Sequence, residues 1–170
     1  VLPKVDDAEL TRESLRYIGV AHAELGRKAK AREYLDRAVE AAPDTAERAA
    51  SLAETLFEAD LTTLAAEYAN RAVEADSTRP DGRLFRGLAR LANGDTEAAK
   101  PDLERGLDAG VNRLYGLYRA GRAALQAGQP ELAATYLDQL ARTPSASDFD
   151  VLMPMRLALD AYRQTDSEAH

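Results

Sequence analysis

The stretch Arg12–Thr45, RESLRYIGVAHAELGRKAKAREYLDRAVEAAPDT, reads as two amphipathic helices joined by a tight reversal. Leu15, Ile18, Gly19, His22 and Leu25 recur at three- and four-residue spacing, which sets them on one face of a helix. Gly26-Arg27 interrupts that run, and a second periodic run passes through Ala31, Tyr34, Leu35, Ala38 and Val39. Pro43-Asp44 ends it, because proline biases the residue before it away from the helical region. Asp44 is then placed to cap the next helix, with Glu47 three residues on in a capping-box-like position.

The same unit returns along the chain. Gly19, Ala53, Gly87 and Gly121 lie 34 residues apart, as do Gly26, Asp60, Gly94 and Gly128, and Ala31, Ala65, Ala99 and Ala133. Six of the ten glycines fall in two of these columns, which composition alone does not explain. A fixed interval of this kind means a stacked array, since one helix pair cannot bury its apolar face alone and needs a neighbour. The first column lies midway along each first helix, where two backbones come close, and the alanine column is expected to supply the small facing contact. A larger side chain there would push the helices apart, at a cost of about 1–3 kcal/mol. Gly26, Gly94 and Gly128 suit the reversal between helices, where a positive φ is expected.

Composition bounds the function. The chain has 170 residues and a net charge of −7, which argues against nucleic acid as a partner because phosphates demand a basic face. It has no run of about 18 apolar residues, so no membrane insertion is expected. Without cysteine there are no disulfides and no thiolate chemistry, and the compartment stays open between cytoplasm and periplasm. Residues 1–10 lack the pattern of a secretory signal. The first residue is Val, so the chain is expected to be a processed or excised piece of a longer protein. Charge is uneven: Arg83–Arg122 holds eight basic residues against five acidic ones.

In these features the sequence resembles the tetratricopeptide repeats. The resemblance covers four units, Arg12–Thr45, Ala46–Arg79, Pro80–Arg113 and Leu114–Ser147, and residues 151–169 look like a partial fifth unit or a capping helix. It implies an all-α fold, a right-handed α-α superhelix of about nine antiparallel helices within one repeat domain. The family's closing proline stands at Pro43, but Ser77 and Val111 replace it later and Pro144 comes one residue early. The third unit departs further. Arg83, Arg86 and Arg90 share one helical face where the family packs large apolar residues, while Leu84, Leu88 and Leu91 share another. Pro101 falls inside the second helix of that unit, where a lost hydrogen bond or a kink is expected.

No catalytic constellation is legible. The histidines are His22, on the packing face of the first helix, and the terminal His170. Neither a nucleophile–base pair nor a histidine-rich metal site can be assembled from them. Carboxylates are spread over helix faces without calcium-loop spacing, and no phosphate-cradling glycine loop is present. The expectation is a protein without catalytic residues, metal or cofactor.

The resemblance implies that the first helices line a concave groove. Candidates there begin with Arg16, Tyr17, Val20 and Glu24. The second unit offers Glu47, Glu54, Phe57 and Glu58, the third Leu84, Phe85, Leu88 and Leu91, and the fourth Tyr115, Tyr118, Arg119, Arg122 and Leu125. On this reading the surface runs from acidic through apolar to tyrosine with arginine, residue types that anchor protein interfaces. Tyr34, Tyr68 and Tyr136 belong to second helices and are expected to pack. A clamp for chaperone tails is not expected, because Asn70, Asn93 and Asn112 lie off the groove column, which offers Val20, Ser51 and Phe85 instead.

The function expected is a scaffold that binds a peptide or helix of a partner protein. Glu47, Glu54 and Glu58 would choose a basic flank, and Arg119 and Arg122 an acidic one. The alternative is a self-assembling or spacer module, as in a bacterial secretion or polysaccharide-export protein. Homo-oligomers would then form through apolar Leu157, Leu159 and Tyr162 of the terminal unit.

Overall fold

A computed structural model of the protein describes residues 10–41, 43–108 and 113–143. These residues form eight helices and, among themselves, no strand. In chain order they are α1 (Arg12–Glu24), α2 (Lys28–Glu40), α3 (Thr45–Glu58), α4 (Thr62–Ala75), α5 (Pro80–Ala92), α6 (Thr96–Asp108), α7 (Arg113–Gln126) and α8 (Pro130–Arg142). The expected ninth helix, with Leu157, Leu159 and Tyr162, lies outside the described residues, as do Val111, Asn112 and Pro144.

Each odd helix packs on the even helix that follows it. Contacts of α4 with α5, α3 with α5 and α5 with α7 then join successive pairs. One continuous apolar core runs through all four pairs. The fold is an all-α superhelical solenoid whose first helices stand side by side.

Local chemistry starts these helices where the sequence indicates. The Thr11 hydroxyl accepts from the Ser14 amide at 3.2 Å, and the Asp44 carboxylate accepts from the Glu47 amide at 2.9 Å. Pro80 and Pro130 open α5 and α8, positions where a missing N–H costs nothing.

The four reversals within the pairs are one structure repeated. Gly26, Gly94 and Gly128 sit at φ of 70°, 87° and 68°, and Asp60 adopts the same conformation at 57°. In the first, the Gly26 amide bonds the Ala23 carbonyl at 2.9 Å and the Arg27 amide bonds the His22 carbonyl at 2.8 Å. The equivalent bonds close the turns at Asp60, Gly94 and Gly128. This double closure satisfies carbonyls that a helix end otherwise leaves bare. Aspartate can stand in for glycine because its short polar side chain tolerates the left-handed region better than most.

The glycines midway along the first helices face leucines rather than the alanine column. A Cβ on Gly19 would lie 2.6 Å from Leu35 Cδ2, on Gly87 2.8 Å from Leu103 Cγ, and on Gly121 3.0 Å from Leu137 Cδ2. Leu35, Leu103 and Leu137 form a 34-residue column of their own, and its fourth member is Ala69. The second pair therefore has Ala53 with Ala69 where the others have glycine with leucine. The Cβ added at position 53 is accommodated because position 69 carries three carbons fewer than leucine, so the two helices can still approach closely. The alanine column is wholly buried alongside, with the Ala31 carbonyl 3.3 Å from the same point over Gly19.

Pro101 does not stop α6, which runs through it to Asp108. Both Pro101 and Glu97, whose carbonyl loses the usual donor, are exposed, so water can serve that carbonyl.

Candidate functional site

The inner side of the array is built by α1, α3, α5 and α7. Its columns, read at the repeat interval, are Glu13–Glu47–Asp81–Tyr115, Tyr17–Ser51–Phe85–Arg119, Val20–Glu54–Leu88–Arg122 and Glu24–Glu58–Ala92–Gln126.

The most extensive feature on this side is an ionic clasp between α3 and α7. Arg119 donates from Nε to Glu58 Oε1 at 2.6 Å and from Nη2 to Glu54 Oε1 at 2.8 Å. Arg122 donates from Nη1 to Glu58 Oε2 at 3.1 Å and from Nη2 to the Phe57 carbonyl at 3.4 Å. Beside them Gln126 donates to Asp60 at 2.8 Å. These bonds cross over α5, which belongs to the pair in between. The clasp therefore ties the second helix pair to the fourth, whereas contacts in a solenoid ordinarily join neighbours alone.

The apolar residues expected on the groove floor are buried, and Phe57 and Phe85 lie against the arginines of this clasp. Phe57 and Leu88 are fully buried, and Leu84 and Phe85 nearly so. The guanidinium of Arg122 stacks 4.9 Å from the Phe57 ring centre, and that of Arg119 lies 5.4 Å from Phe85 and 5.9 Å from Tyr115. Side-by-side packing of α3, α5 and α7 closes these side chains into the core, so they form no open apolar strip. The expected gradient from an acidic to a basic end is corrected in the same way. Glu54 and Glu58 meet Arg119 and Arg122 directly and neutralise them.

What remains open is aromatic and polar. Among the described residues the large apolar side chains classed as exposed are Tyr17, at 62 %, Tyr115, at 48 %, and Leu25 in a turn. Tyr17 and Tyr115 stand in inner columns, on α1 and α7. Tyr118 is half-buried, and Glu47 is exposed at the start of α3 beside the Asp44 cap. Arg16 bridges α1 to α3, donating to Thr55 at 3.3 Å and to the Tyr17 hydroxyl at 3.0 Å.

The second helices carry the packing roles expected of them. Tyr68 is fully buried and donates to Asp36 at 2.8 Å, while Arg71 bonds the same carboxylate. Burial, reinforced by that hydrogen bond, pushes the Tyr68 phenol well above its ordinary pKa of 10.0. Tyr136 is raised by burial as well. His22 stacks on Tyr34 with ring centres 5.5 Å apart, in keeping with a structural role.

Sequence reasoning noticed the three arginines of the third unit but not their partner. Asp102 of α6 is the one charged side chain buried among the described residues, at 2 % exposure. Arg86 grips it in a bidentate pair at 2.6 and 2.7 Å, and Arg90 adds a bond at 2.9 Å. The signal was present in the repeat register: Asp102 occupies the tyrosine column, between Tyr68 and Tyr136. No group of three or more acidic or histidine side chains able to hold a metal ion occurs among the described residues.

A solenoid of 34-residue helix pairs with a bonded inner face is the architecture of a repeat scaffold. The chain belongs to the tetratricopeptide repeat family, whose sequence model matches residues 5–46, 18–80 and 86–148. It is similar to the structure described as "Crystal structure of MamA protein", with a TM-score of 0.54 over 91 % of this chain and 88 % of that one. A MamA point mutant matches over the same shares with a TM-score of 0.50. Identity is 17 % in both, so the likeness is one of fold. No curated protein matches the chain by sequence. Membership of this family makes it, in general terms, a protein–protein interaction scaffold, and no described helix is long and apolar enough to cross a membrane.

Proposed function

We propose that the array is a non-catalytic scaffold that holds a peptide or helix of a partner protein on its concave side. The observation that carries this reading is where the exposed aromatic side chains lie. Tyr17 and Tyr115, two of the three exposed large apolar side chains among the described residues, both belong to inner columns. A large, stiff, amphipathic side chain left in water next to arginine is the commonest kind of interface anchor.

The partner would contact Tyr17, Glu47, Tyr115 and Tyr118 and the polar upper faces of Glu54, Glu58, Arg119 and Arg122. Phe57, Leu84, Phe85 and Leu88 would support that surface from beneath rather than touch the ligand. Because the clasp is already neutral, recognition would rest on aromatic burial and shape, with charge setting orientation. Replacing Tyr17 and Tyr115 together by alanine should weaken the complex about a hundredfold, since each anchor is worth roughly 1–2 kcal/mol. Glu33→Ala, on the outer helix α2, should leave it unchanged. Equal loss from both variants would refute a concave site.

A further inference from the structure

The third repeat exchanges its packing as a block. Where the other units have Leu15, Ala49 and Leu117, it has Arg83; where they have Ile18, Leu52 and Ala120, it has Arg86; where they have His22, Leu56 and Ala124, it has Arg90. Opposite them, in the column of Tyr34, Tyr68 and Tyr136, stands Asp102. An apolar face with a tyrosine has become three cations around one carboxylate, on the side of α5 turned toward α6.

The charges do not balance. Arg86 and Arg90 bond Asp102 directly, and Arg83 reaches it at 3.6 Å while donating from Nε to the Ser77 carbonyl at 2.9 Å. Glu74 of α4 acts on Arg86 from farther away. Among the described residues Asp102 is thus the one carboxylate within 4.0 Å of the three guanidinium groups. Partly desolvated charges of one sign raise the free energy of the fold unless an anion joins them.

Donors are also in surplus. A guanidinium carries five N–H groups, whereas one carboxylate offers about four acceptor positions. Arg86 Nη1, Arg90 Nε and Nη2, and Arg83 Nη2 have no acceptor among the described residues, and none is buried. The three side chains keep 19, 18 and 30 % exposure for Arg83, Arg86 and Arg90, so solvent reaches them. Asp102 fixes Arg86 and Arg90 in place beforehand, which lowers the ordering cost of a second, external anion.

We propose that Arg83, Arg86 and Arg90, organised by Asp102, form a binding site for a phosphate dianion, either free or carried on a phosphorylated side chain of a partner. The planar guanidinium fork matches phosphate oxygens, and a dianion offsets the surplus charge. This site is independent of the concave surface.

The test is a titration of the protein with inorganic phosphate, following the arginine Nε–Hε resonances, against sodium chloride at matched ionic strength. Phosphate should give saturable shifts at Arg83, Arg86 and Arg90 that chloride does not reproduce. Arg83→Gln combined with Arg90→Gln keeps the Arg86–Asp102 pair and should weaken binding at least about tenfold, because it removes the charge-assisted bonds of two of the three guanidinium groups. Asp102→Asn keeps the side-chain shape but releases Arg86 and Arg90 from the carboxylate that orders them, and should weaken phosphate binding while the helical circular dichroism stays unchanged. A phosphoserine peptide that binds about tenfold tighter than inorganic phosphate assigns the anion to a protein partner, and equal affinities assign it to the free ion. Identical responses to phosphate and chloride would overturn the proposal, as would unchanged affinity in the double variant.

Discussion

Arg119 and Glu58 are 61 residues apart in sequence and 2.6 Å apart in space, joined from α7 to α3 across the helix between them. Surface ion pairs of this exposure contribute about 0–1 kcal/mol each, far less than burial of Phe57 and Phe85 beneath them. The clasp is therefore expected to bear on the curvature of the array more than on its stability. A double-mutant cycle on Glu58→Ala and Arg119→Ala should return a coupling of about 0.2–1 kcal/mol that shrinks as salt is added. Small-angle scattering should show the Arg119→Glu, Arg122→Glu variant opening to a larger radius of gyration. An unchanged radius would mean that packing alone holds the curve.

The exchange of glycine with leucine for alanine with alanine in the second pair makes a reciprocal prediction. Ala69→Leu alone should overfill the contact with Ala53 and lose about 1–3 kcal/mol by urea denaturation. Adding Ala53→Gly should recover most of that loss, because it recreates the contact seen at Gly19 with Leu35.

Gly106→Ala should be costlier than Gly121→Ala. The new Cβ at position 106 would lie 2.8 Å from Leu84 N and Cα, which are backbone atoms, whereas at 121 it meets the movable end of Leu137 at 3.0 Å. The expected losses are about 3 kcal/mol and about 1 kcal/mol.

Tyr68 predicts an alkaline limb. Its phenol is raised in the folded protein above the ordinary 10.0, mainly by burial and then by the bond to Asp36. Below pH 10 the group is neutral whether folded or not and adds no slope. Above it the unfolded chain loses the proton first, so stability falls as pH rises. Tyr68→Phe should lower stability near neutrality by about 1 kcal/mol, through the lost hydrogen bond, and flatten the decline above pH 10. A decline of equal slope in both proteins would place the titration elsewhere.

The helix pairs, their reversals and the tyrosine packing were legible because each is local or repeats at the unit interval. Asp60 extends this, since it shares the turn column with three glycines and adopts their positive φ. The clasp was not legible. Periodicity assigns Glu54 and Arg119 to the same side of their helices, but whether they meet depends on curvature, the sum of small rotations that no single unit encodes. The same ignorance made Phe57, Leu84, Phe85 and Leu88 look like an open floor, since a pattern identifies an apolar face without saying which neighbour covers it. The Arg86–Asp102 pair lies between these cases, visible once the units are aligned and Asp102 is seen to replace a tyrosine.

The central claim is that a partner protein is held on the concave side. The most direct measurement replaces Tyr17 and Tyr115, one at a time, by a photo-reactive phenylalanine in the full chain within native cells. Glu33 on α2 and Asp138 on α8 are replaced likewise as outer-face controls. The account predicts that Tyr17 and Tyr115 crosslink the same partner protein, identified by mass spectrometry, and that the two controls do not. Crosslinks confined to the outer positions, or equal at all four, would contradict it.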